Sequence, residues 1–364
     1  MRFRCERDVL VDGLSTAGRA VSSRGGAQPV LAGIRMILQG DRLELTGSDL
    51  ELTISVELTV AGDTDGEIVI PSRLALDIVK ALEPGAVTID TEGEEARITG
   101  GRSQFSLHLI PAEEYPPLVA PTGESLTIGA AEFAEGLRQV VPAASTDDSR
   151  PILTGVLLAR EGTGLRLVST DSYRLAVRDL PGTSVLAEGQ KVLVPSRALT
   201  EVAHALQSAS ELTLLLGERD ASFLIDGVRL STRLIEGEFP NYRGLIPQSQ
   251  PNRLTVGRTA LIDALRRVKL MAREATPVRL TMSADGLELV AITQDVGQAH
   301  EQLDAQYEGT DLTVAFNPDY LMNGLDVTPG DEVSIETVDT LKPALLRSLE
   351  TTDFLYLLMP VRVS

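Results

Sequence analysis

One sequence pattern occurs three times in this chain, and it constrains the fold more than any other feature. The segments VIPSRLALDIVKAL, VLVPSRALTEVAHAL and, more faintly, VAFNPDYLMNGLDV carry a proline at the same position. These prolines, Pro71, Pro195 and Pro318, are 124 and 123 residues apart. A fixed period of this kind indicates repeated structural units.

Two further markers have the same period. The aspartates of LELTGSDLELTI, LRLVSTDSYRLAV and LELVAITQDVGQA are Asp49, Asp171 and Asp295, separated by 122 and 124 residues. The motifs EEYPPL and GEFPNYRGL place Pro116 and Pro240 another 124 residues apart. Because three independent markers agree, we interpret the chain as three copies of one domain.

Two linkers rich in Pro, Gly, Ser and Asn separate these copies. They are APTGES at 120–125 and PQSQPN at 247–252, and such clusters are typical of loops. The predicted domains are residues 1–121, 126–248 and 252–364.

Within each copy, the periodicity predicts two helices and several short strands. The first helix carries apolar residues at i, i+4, i+7 and i+11, as in Leu10, Leu14, Ala17 and Val21. The second begins at the repeated proline, which is tolerated in a first helical turn. Alternating runs such as RLELTG, EARITG and VRLTMS predict antiparallel strands with one buried face. The expected fold is α+β, with two βαβββ half-units per copy and six helices per chain.

The charge distribution bears on nucleic-acid binding. The chain has 33 Lys and Arg against 52 Asp and Glu, a formal net charge of −19, which excludes a protein that binds nucleic acid through bulk positive charge. The predicted helices and adjoining loops nevertheless concentrate basic residues, which are either solvated faces or a shared cationic surface for phosphate backbones. The candidates for such a surface are Arg24, Arg73, Lys80, Arg150, Arg197, Arg266, Lys269 and Arg273.

Residue types needed for catalysis or metal binding are sparse. Cys5 is the only cysteine, and His108, His204 and His300 lack metal-ligand spacing. No P-loop, GxGxxG after a strand or GxSxG motif occurs. We expect no enzyme activity, no cofactor and no metal. No apolar run is long enough for a signal peptide or a membrane span, so a cytoplasmic protein is expected.

The chain ends in an apolar run, FLYLLMPVRVS. This run is either a simple strand end or the lining of a pocket that receives a partner peptide.

Taken together, these motifs resemble the bacterial sliding clamp family, the beta subunit of DNA polymerase III. The resemblance rests on the threefold repeat and on VLAGI, EEYPPL, SRPILTGV, STDSYRLAV, LIEGEFPNYRGLIP, FNPDYL, KPALLR and the terminal MPVR. It covers essentially the whole chain and is strongest toward the clamps of high-GC actinobacteria.

The resemblance implies three tandem clamp domains in a head-to-tail homodimeric ring around double-stranded DNA. Helices would line the hole and antiparallel sheets would form the outside. Such a processivity factor would tether the DNA polymerase III catalytic subunit, the clamp loader, and other polymerases and repair proteins through short linear peptides.

By the same resemblance, the peptides would bind a cleft between the second and third domains. The implied cleft residues are Leu153, Thr170, Ser172, Tyr173, Arg174, Leu175, Pro240, Leu245, Asn317, Tyr320, Leu341, Pro343, Leu357, Leu358, Met359, Pro360, Val361 and Arg362. Two positions depart from the family pattern: Ser172 replaces a common Gly or Arg, and Gly244 replaces an often basic residue.

The resemblance also implies an interface between two copies of the chain. Its residues would be Arg102, Phe105, Leu107, Leu270, Met271, Asp295 and Glu301, with Asp304 completing a thinned acidic run.

Two alternatives to the ordinary clamp stay open at this point. One is a divergent second clamp copy that resists a clamp-binding inhibitor, and the other is a peptide-binding scaffold that never encircles DNA. Retention on circular DNA distinguishes the scaffold from a clamp.

Overall fold

The computed structural model of this chain describes residues 1–22, 28–118, 124–272 and 276–362. Six α-helices lie in these ranges: α1 (Arg7–Gly18), α2 (Ser72–Ala81), α3 (Ala130–Val140), α4 (Ser196–Ala205), α5 (Arg258–Lys269) and α6 (Pro318–Val327).

The strands follow the threefold repeat. The first repeat contains β1 (Arg2–Glu6), β2 (Gly33–Gln39), β3 (Arg42–Ser48), β4 (Leu52–Thr59), β5 (Ala61–Thr64), β6 (Gly66–Pro71), β7 (Ala86–Glu92), β8 (Glu95–Gly100) and β9 (Ser103–His108). The second contains β10 (Glu124–Gly129), β11 (Gly155–Glu161), β12 (Gly164–Thr170), β13 (Arg174–Leu180), β14 (Lys191–Pro195), β15 (Glu211–Leu216), β16 (Asp220–Ile225) and β17 (Val228–Arg233). The third contains β18 (Asn252–Gly257), β19 (Val278–Ser283), β20 (Gly286–Thr293), β21 (Gly297–Leu303), β22 (Ala305–Glu308), β23 (Leu312–Phe316), β24 (Glu332–Thr337), β25 (Ala344–Ser348) and β26 (Phe354–Leu358).

This order confirms the α+β prediction and the βαβββ half-unit. The first repeat reads β1-α1-β2-β3-β4 and then β6-α2-β7-β8-β9, with only β5 added. The second repeat has the same order without the extra strand, and the third adds β22. All pairings between these strands are antiparallel.

The helix boundaries differ slightly from those expected. Pro71 and Pro195 precede α2 and α4 by one residue, whereas Pro318 is itself the first residue of α6. Val21 lies beyond the end of α1, where Arg19 already forms the C-cap. The other three residues of the stripe are buried, so the periodicity located the buried face of the helix but not its end.

Two compact units make up the fold: Met1–Ala131 with Thr200–Leu234, and Glu132–Leu199 with Ile235–Ser364. Each contains strands from two successive repeats, because sheet pairing crosses the predicted domain boundaries. Those boundaries stay a prediction.

Each unit contains two sheets. In the first unit, one sheet has the order β5-β1-β7-β8-β9 and the other β10-β15-β16-β17-β4-β3-β2-β6. In the second unit, the orders are β14-β11-β12-β13-β26-β25-β24-β18-β22 and β21-β20-β19-β23. The two long sheets therefore each contain one pairing between repeats: β4 with β17, which we call the first junction, and β13 with β26, the second junction.

A glycine makes close helix–sheet packing possible next to the second junction. A Cβ on Gly324, in α6, would lie 2.6 Å from the ring of Tyr356 and 3.0 Å from Leu346. Since Tyr356 is fully buried, the ring has no free space to move into.

We therefore expect Gly324→Ala to destabilise the protein despite the higher helix propensity of alanine. Overpacking costs about 1–3 kcal/mol, against a propensity gain of about 1 kcal/mol. Urea unfolding followed by circular dichroism measures the difference. Gly244→Ala is the matched control, because nothing lies within 4 Å of the added Cβ. Equal unfolding midpoints for the two variants would contradict this packing argument.

Candidate functional site

A tight turn, residues 170–174, connects β12 to β13 beside the second junction. One carboxylate oxygen of Asp171 accepts hydrogen bonds from the backbone N–H of Tyr173 (2.9 Å) and of Arg174 (3.0 Å). The other oxygen accepts from Arg174 Nε at 3.0 Å. Thr170 Oγ1 donates to the Arg174 carbonyl at 2.7 Å. Asp171 is thus a turn-forming residue.

Ser172 occupies a left-handed conformation in this turn, with φ of 79°. Residues other than glycine are disfavoured in this conformation. Its N–H donates to Thr170 Oγ1 (3.1 Å), and its hydroxyl accepts from Arg150 Nη1 (3.4 Å). Arg150 also donates to Asp147 (2.9 Å). The arginine assigned to DNA contact from the sequence therefore lies beside the turn.

Aromatic and cationic side chains cover one side of the turn. The exposed ring of Tyr173 stacks on Tyr320 with centroids 6.3 Å apart, and the Arg174 guanidinium lies 4.4 Å from the Tyr320 ring centroid. Asn317 caps α6 by accepting from the N–H groups of Asp319 and Tyr320. Nη1 of the buried Arg174 has no hydrogen-bond partner.

The second junction places a buried apolar cluster, with partly buried side chains around it, next to this turn. Leu175 pairs with Leu357 across β13 and β26, and the N–H of Met359 donates to the Tyr173 carbonyl at 2.8 Å. The cluster on this face has Leu157, Ala159, Val168, Leu175, Val177, Leu193, Tyr242, Leu345, Leu355 and Leu357 at its centre, with Ile152, Ile235, Phe239, Ile246 and Met359 partly buried around it.

Leu358 does not share this face, contrary to the sequence prediction. Side chains alternate along a strand, so Leu358 lies on the face opposite Leu357. It is buried and pairs with Arg174 and Ala344.

Residues 235–247, which we call the wall segment, border the cluster. Pro240 and Leu245 are exposed there, while Tyr242 is buried. The N–H of Ile235 donates to the Leu193 carbonyl at 2.9 Å, and Phe239 contacts Tyr242 edge to face at 6.3 Å. Sequence reasoning noticed the FPNY motif but missed Phe239 and Tyr242, because the motif alone does not reveal which side chains face inward.

The remaining predicted cleft residues vary in accessibility. Leu153 is buried, and Pro343 and Pro360 are half-buried. Leu341, Val361 and Arg362 are exposed. Asp339 holds the connection containing Leu341 by accepting from the N–H groups of residues 341 and 342, and these bonds lower the pKa of its carboxyl.

Exposed apolar side chains also occur at two sheet edges. Phe105 on the edge strand β9 is 39% exposed, and Leu270 after α5 is 82% exposed. Leu107 was expected to be accessible as well, but it is only 5% exposed, since it points toward the core of its own sheet. Met271 is half-buried near β21. The sequence prediction missed Ile292 and Val296, which are exposed at the same end of the four-stranded sheet.

Glu301 on β21 has a partner within its own chain. Its carboxylate accepts two hydrogen bonds from Arg267, from Nε at 2.7 Å and from Nη2 at 2.8 Å. These bonds lower the pKa of Glu301. The expectation that Glu301 faces a basic residue of another copy overlooked Arg267, which reaches it from α5. Arg102 and Asp304 are exposed, and Asp295 forms a turn with φ of 66°.

Several of the predicted DNA-facing cations are paired with acids on the helices. Arg266 contacts Asp263 (3.3 Å), Lys269 contacts Asp319, and Arg73 lies 4.0 Å from Asp77. The side chains of Lys80 and Arg197 are exposed. Two further candidates, Arg24 and Arg273, lie outside the described residues.

The described ranges contain no group of three His, Cys, Asp or Glu side chains that could hold a metal ion. They also contain no helix long and apolar enough to span a membrane.

Three family models match consecutive parts of the chain. They describe the N-terminal, central and C-terminal domains of the DNA polymerase III beta subunit, and they match residues 1–119, 127–241 and 243–362. The fold and these matches define a protein of three tandem clamp domains.

Individual relatives agree with this assignment. The chain is 37% identical over 382 aligned residues to the beta sliding clamp of Streptomyces coelicolor, covering 100% of both chains. It is 34% identical to the Micrococcus luteus beta sliding clamp, covering 85% of this chain and 100% of the relative. The DNA polymerase sliding clamp of Bacillus subtilis superimposes with a TM-score of 0.92 at 30% identity, covering 100% of both chains. The chain belongs to the family of bacterial beta sliding clamps, and it is a processivity factor of DNA replication.

One prediction concerns Tyr356, whose hydroxyl donates to the Tyr320 carbonyl at 2.9 Å. Burial raises the pKa of Tyr356 to about 12, from the ordinary value of 10.0. Because the folded pKa is the higher one, the associated stability is present below pH 10 and is lost as the pH rises toward 12.

We expect Tyr356→Phe to remove one of the two tyrosines whose pKa burial raises to about 12, the other being Tyr115. The variant should lose about 1 kcal/mol of stability at neutral pH, because the hydrogen bond is lost. Tyrosinate absorbance against pH and urea unfolding measure these effects. An unchanged late absorbance step would show that Tyr356 is not the buried phenol.

Proposed function

We propose that this protein closes into a head-to-tail homodimeric ring that encircles double-stranded DNA and holds partner proteins through the cleft at its second junction. The observation that carries the ring is the pattern of strand pairing. Each half-unit contributes a three-stranded meander, and the last strand of one meander pairs with the last strand of another at both junctions.

Two of the last strands of the half-units have no such partner within the described chain. The six last strands are β4, β9, β13, β17, β21 and β26. Among the described strands, β4 pairs with β17 and β13 with β26, whereas β9 and β21 end their sheets. Unpaired edges present free N–H and C=O groups. Pairing β21 of one copy with β9 of a second would form a third junction of the same kind, and two such junctions close the ring.

The hairpin positions supply a register for this pairing. The first junction pairs Thr53 with Ser231. Gln298 in the β20–β21 hairpin corresponds to Thr53, and Ser106 in the β8–β9 hairpin corresponds to Ser231. Phe105 of one copy would then lie opposite Ala299 of the other. This puts the exposed Phe105 ring on the side of β21 that carries Met271, whose sulfur lies 4.0 Å from the Cβ position of Gly297.

DNA would be held by enclosure rather than by affinity. A net charge of −19 opposes tight electrostatic binding. The exposed ion pairs of Arg73 and Arg266 are each worth only about 0–1 kcal/mol, so a phosphate can replace the carboxylate. Together with Lys80, Arg197 and Lys269, these cations would let the ring slide with weak, exchangeable contacts.

The cleft would bind short peptides of the DNA polymerase III catalytic subunit, the clamp loader, and other polymerases and repair proteins. The partly buried apolar side chains around the cluster, among them Ile152, Ile246 and Met359, suit Leu or Phe anchors, which provide most of the affinity in such interfaces. Arg150 would serve here, at the rim beside Ser172.

The proposal also includes the limits of the three domains, the absence of catalytic residues and the cellular location of the protein. We take the three repeats, 1–121, 126–248 and 252–364, as its clamp domains, and we propose that the protein has no catalytic residues and works in the cytoplasm. The scaffold is not proposed, since family matches extend over all three repeats. The inhibitor-resistant copy is not proposed either, since no observation favours it over the ordinary clamp.

A prediction for the interface uses the double variant Leu270→Ala with Met271→Ala. Each buried apolar side chain contributes about 1.5–3 kcal/mol, and each occurs twice in a closed ring. The variant should therefore shift from dimer toward monomer in analytical ultracentrifugation. Leu349→Ala removes another exposed leucine, which is 42% accessible, and should leave the dimer intact. An unchanged dimer in the double variant would exclude this interface.

The ring itself is tested by retention on DNA. A protein bound through 6–10 phosphate contacts loses affinity by about 10³–10⁵ between 50 and 200 mM salt. Once loaded, this protein should stay on nicked circular DNA at high salt and leave when the circle is linearised, as gel filtration of the complex would detect. If linearisation has no effect on retention, the protein does not encircle DNA.

A further inference from the structure

A row of charged side chains connects the sheet under the cleft to the wall segment. Arg166 on β12 donates two hydrogen bonds to Asp179 on β13, from Nε at 2.6 Å and from Nη2 at 2.8 Å. Its Nη1 lies 3.2 Å from one carboxylate oxygen of Glu161 on β11. The other Glu161 oxygen accepts from Arg243 Nη2 at 2.5 Å. We call these four residues the ion ladder.

Arg243 is the only member of the ladder in the wall segment. It connects the later part of that segment to the sheet through Glu161. The segment begins with the backbone hydrogen bond of Ile235 to β14. Toward its other end, Arg243 lies 5.9 Å from the ring centroid of the buried Tyr242, and its carbonyl accepts from the N–H of Ile246 at 3.3 Å. Leu245, exposed toward the cleft, is two residues away. The position of Leu245 therefore depends on where Arg243 is held.

Glu161 joins the two parts of the ladder. Its side chain is about one-third exposed and touches a sheet arginine through one oxygen and the wall arginine through the other. Arg166 is fixed by Asp179, and the hydrogen bonds to Asp179 raise the pKa of its guanidinium. Arg243 has no second carboxylate in the described contacts; its hydrogen bonds with the neighbouring Tyr242 and with Glu161 raise the pKa of its guanidinium. Loss of the Glu161 charge would therefore remove the ion pair that connects Arg243 to the sheet and leave the Arg166–Asp179 pair intact.

The first repeat lacks this arrangement, although its backbone is equivalent. At the positions of Glu161 and Arg166, counted from the ends of the matching strands β2 and β3, it has Gln39 and Glu44. The sequence aligned with Tyr242-Arg243 is Leu-Val, beginning at Leu118. The ladder is thus not a requirement of the domain fold. It occurs in the repeat that contributes the wall of the proposed cleft.

We propose that Glu161 is a positioning residue of the peptide cleft: by linking Arg166 to Arg243 it holds the wall segment, and with it Leu245, at a set distance from β13. This inference rests on the proposed peptide-binding function. A preorganised wall reduces the ordering that a peptide must impose on binding. The ladder would therefore act on peptide affinity more than on global stability.

The test is Glu161→Gln in the full-length protein. The probe is a fluorescein-labelled peptide from the C-terminus of the DNA polymerase III catalytic subunit of the same organism. We expect affinity about three- to fivefold weaker, mostly through faster dissociation, as fits the loss of one partly exposed ion pair. Melting temperature should stay within about 2 °C of the wild type. Hydrogen exchange of the amides of residues 242–246 should become faster.

Glu336→Gln is the matched control, because Glu336 also contacts two arginines of the same sheet, Arg347 at 3.2 Å and Arg253 at 4.0 Å, away from the wall segment. It should leave peptide affinity unchanged. Arg243→Gln should reproduce the effect of Glu161→Gln, and the double variant should be no weaker than either one, as expected for a shared interaction.

Each outcome separates the two proposals. If the wild-type protein does not bind the peptide, the proposed cleft function fails. If it binds and Glu161→Gln binds equally well, or if Glu336→Gln weakens binding to the same degree, the positioning role is wrong. Additive effects of Glu161→Gln and Arg243→Gln would also overturn it.

Discussion

Lateral pairing between the last strands of neighbouring half-units is the constraint on which the rest of this structure depends. Each half-unit is a small antiparallel meander with one free edge, and an isolated edge of this kind invites further pairing. Within the chain, β4–β17 and β13–β26 satisfy four of the six edges. This pairing produces the long sheets, brings strands of different repeats together and leaves β9 and β21 as complementary ends. The proposed ring closure and the proposed cleft both follow from this one repeated interaction.

The two junctions have the same backbone arrangement but differ in the polarity of the side chains that face each other across the paired strands. In the first junction, Thr53 lies opposite Ser231, and the neighbouring Ser55 is hydrogen-bonded to a threonine hydroxyl. In the second, Leu175 lies opposite Leu357. Hydroxyl groups that already have partners offer little gain to an apolar ligand, whereas the partly buried apolar side chains around the leucine cluster do. The repeat therefore explains the framework of the cleft, and the divergence between copies explains why it is apolar only once.

Residue types and spacing pointed to the region of the second junction but could not place every side chain. The family resemblance named Tyr173, whose ring lies beside the turn, stacked on Tyr320. Leu358 was misassigned because a one-residue step along a strand reverses the face. The pairing of Glu301 with Arg267 was missed because Arg267 is 34 residues away in sequence, where no local pattern connects the two.

The sequence alone determined the α+β class, the threefold repeat and the half-unit order, because hydrophobic periodicity and turn residues act over a few neighbouring positions. It also restricted the chemistry, through a single cysteine and the absence of catalytic motifs. Only the tertiary structure decided which strands pair across repeats, that Leu107 is buried while Leu270 is exposed, and that Glu161 connects the sheet to the wall of the cleft. These features depend on contacts between residues far apart in the chain, whose side-chain directions are set by packing and strand register.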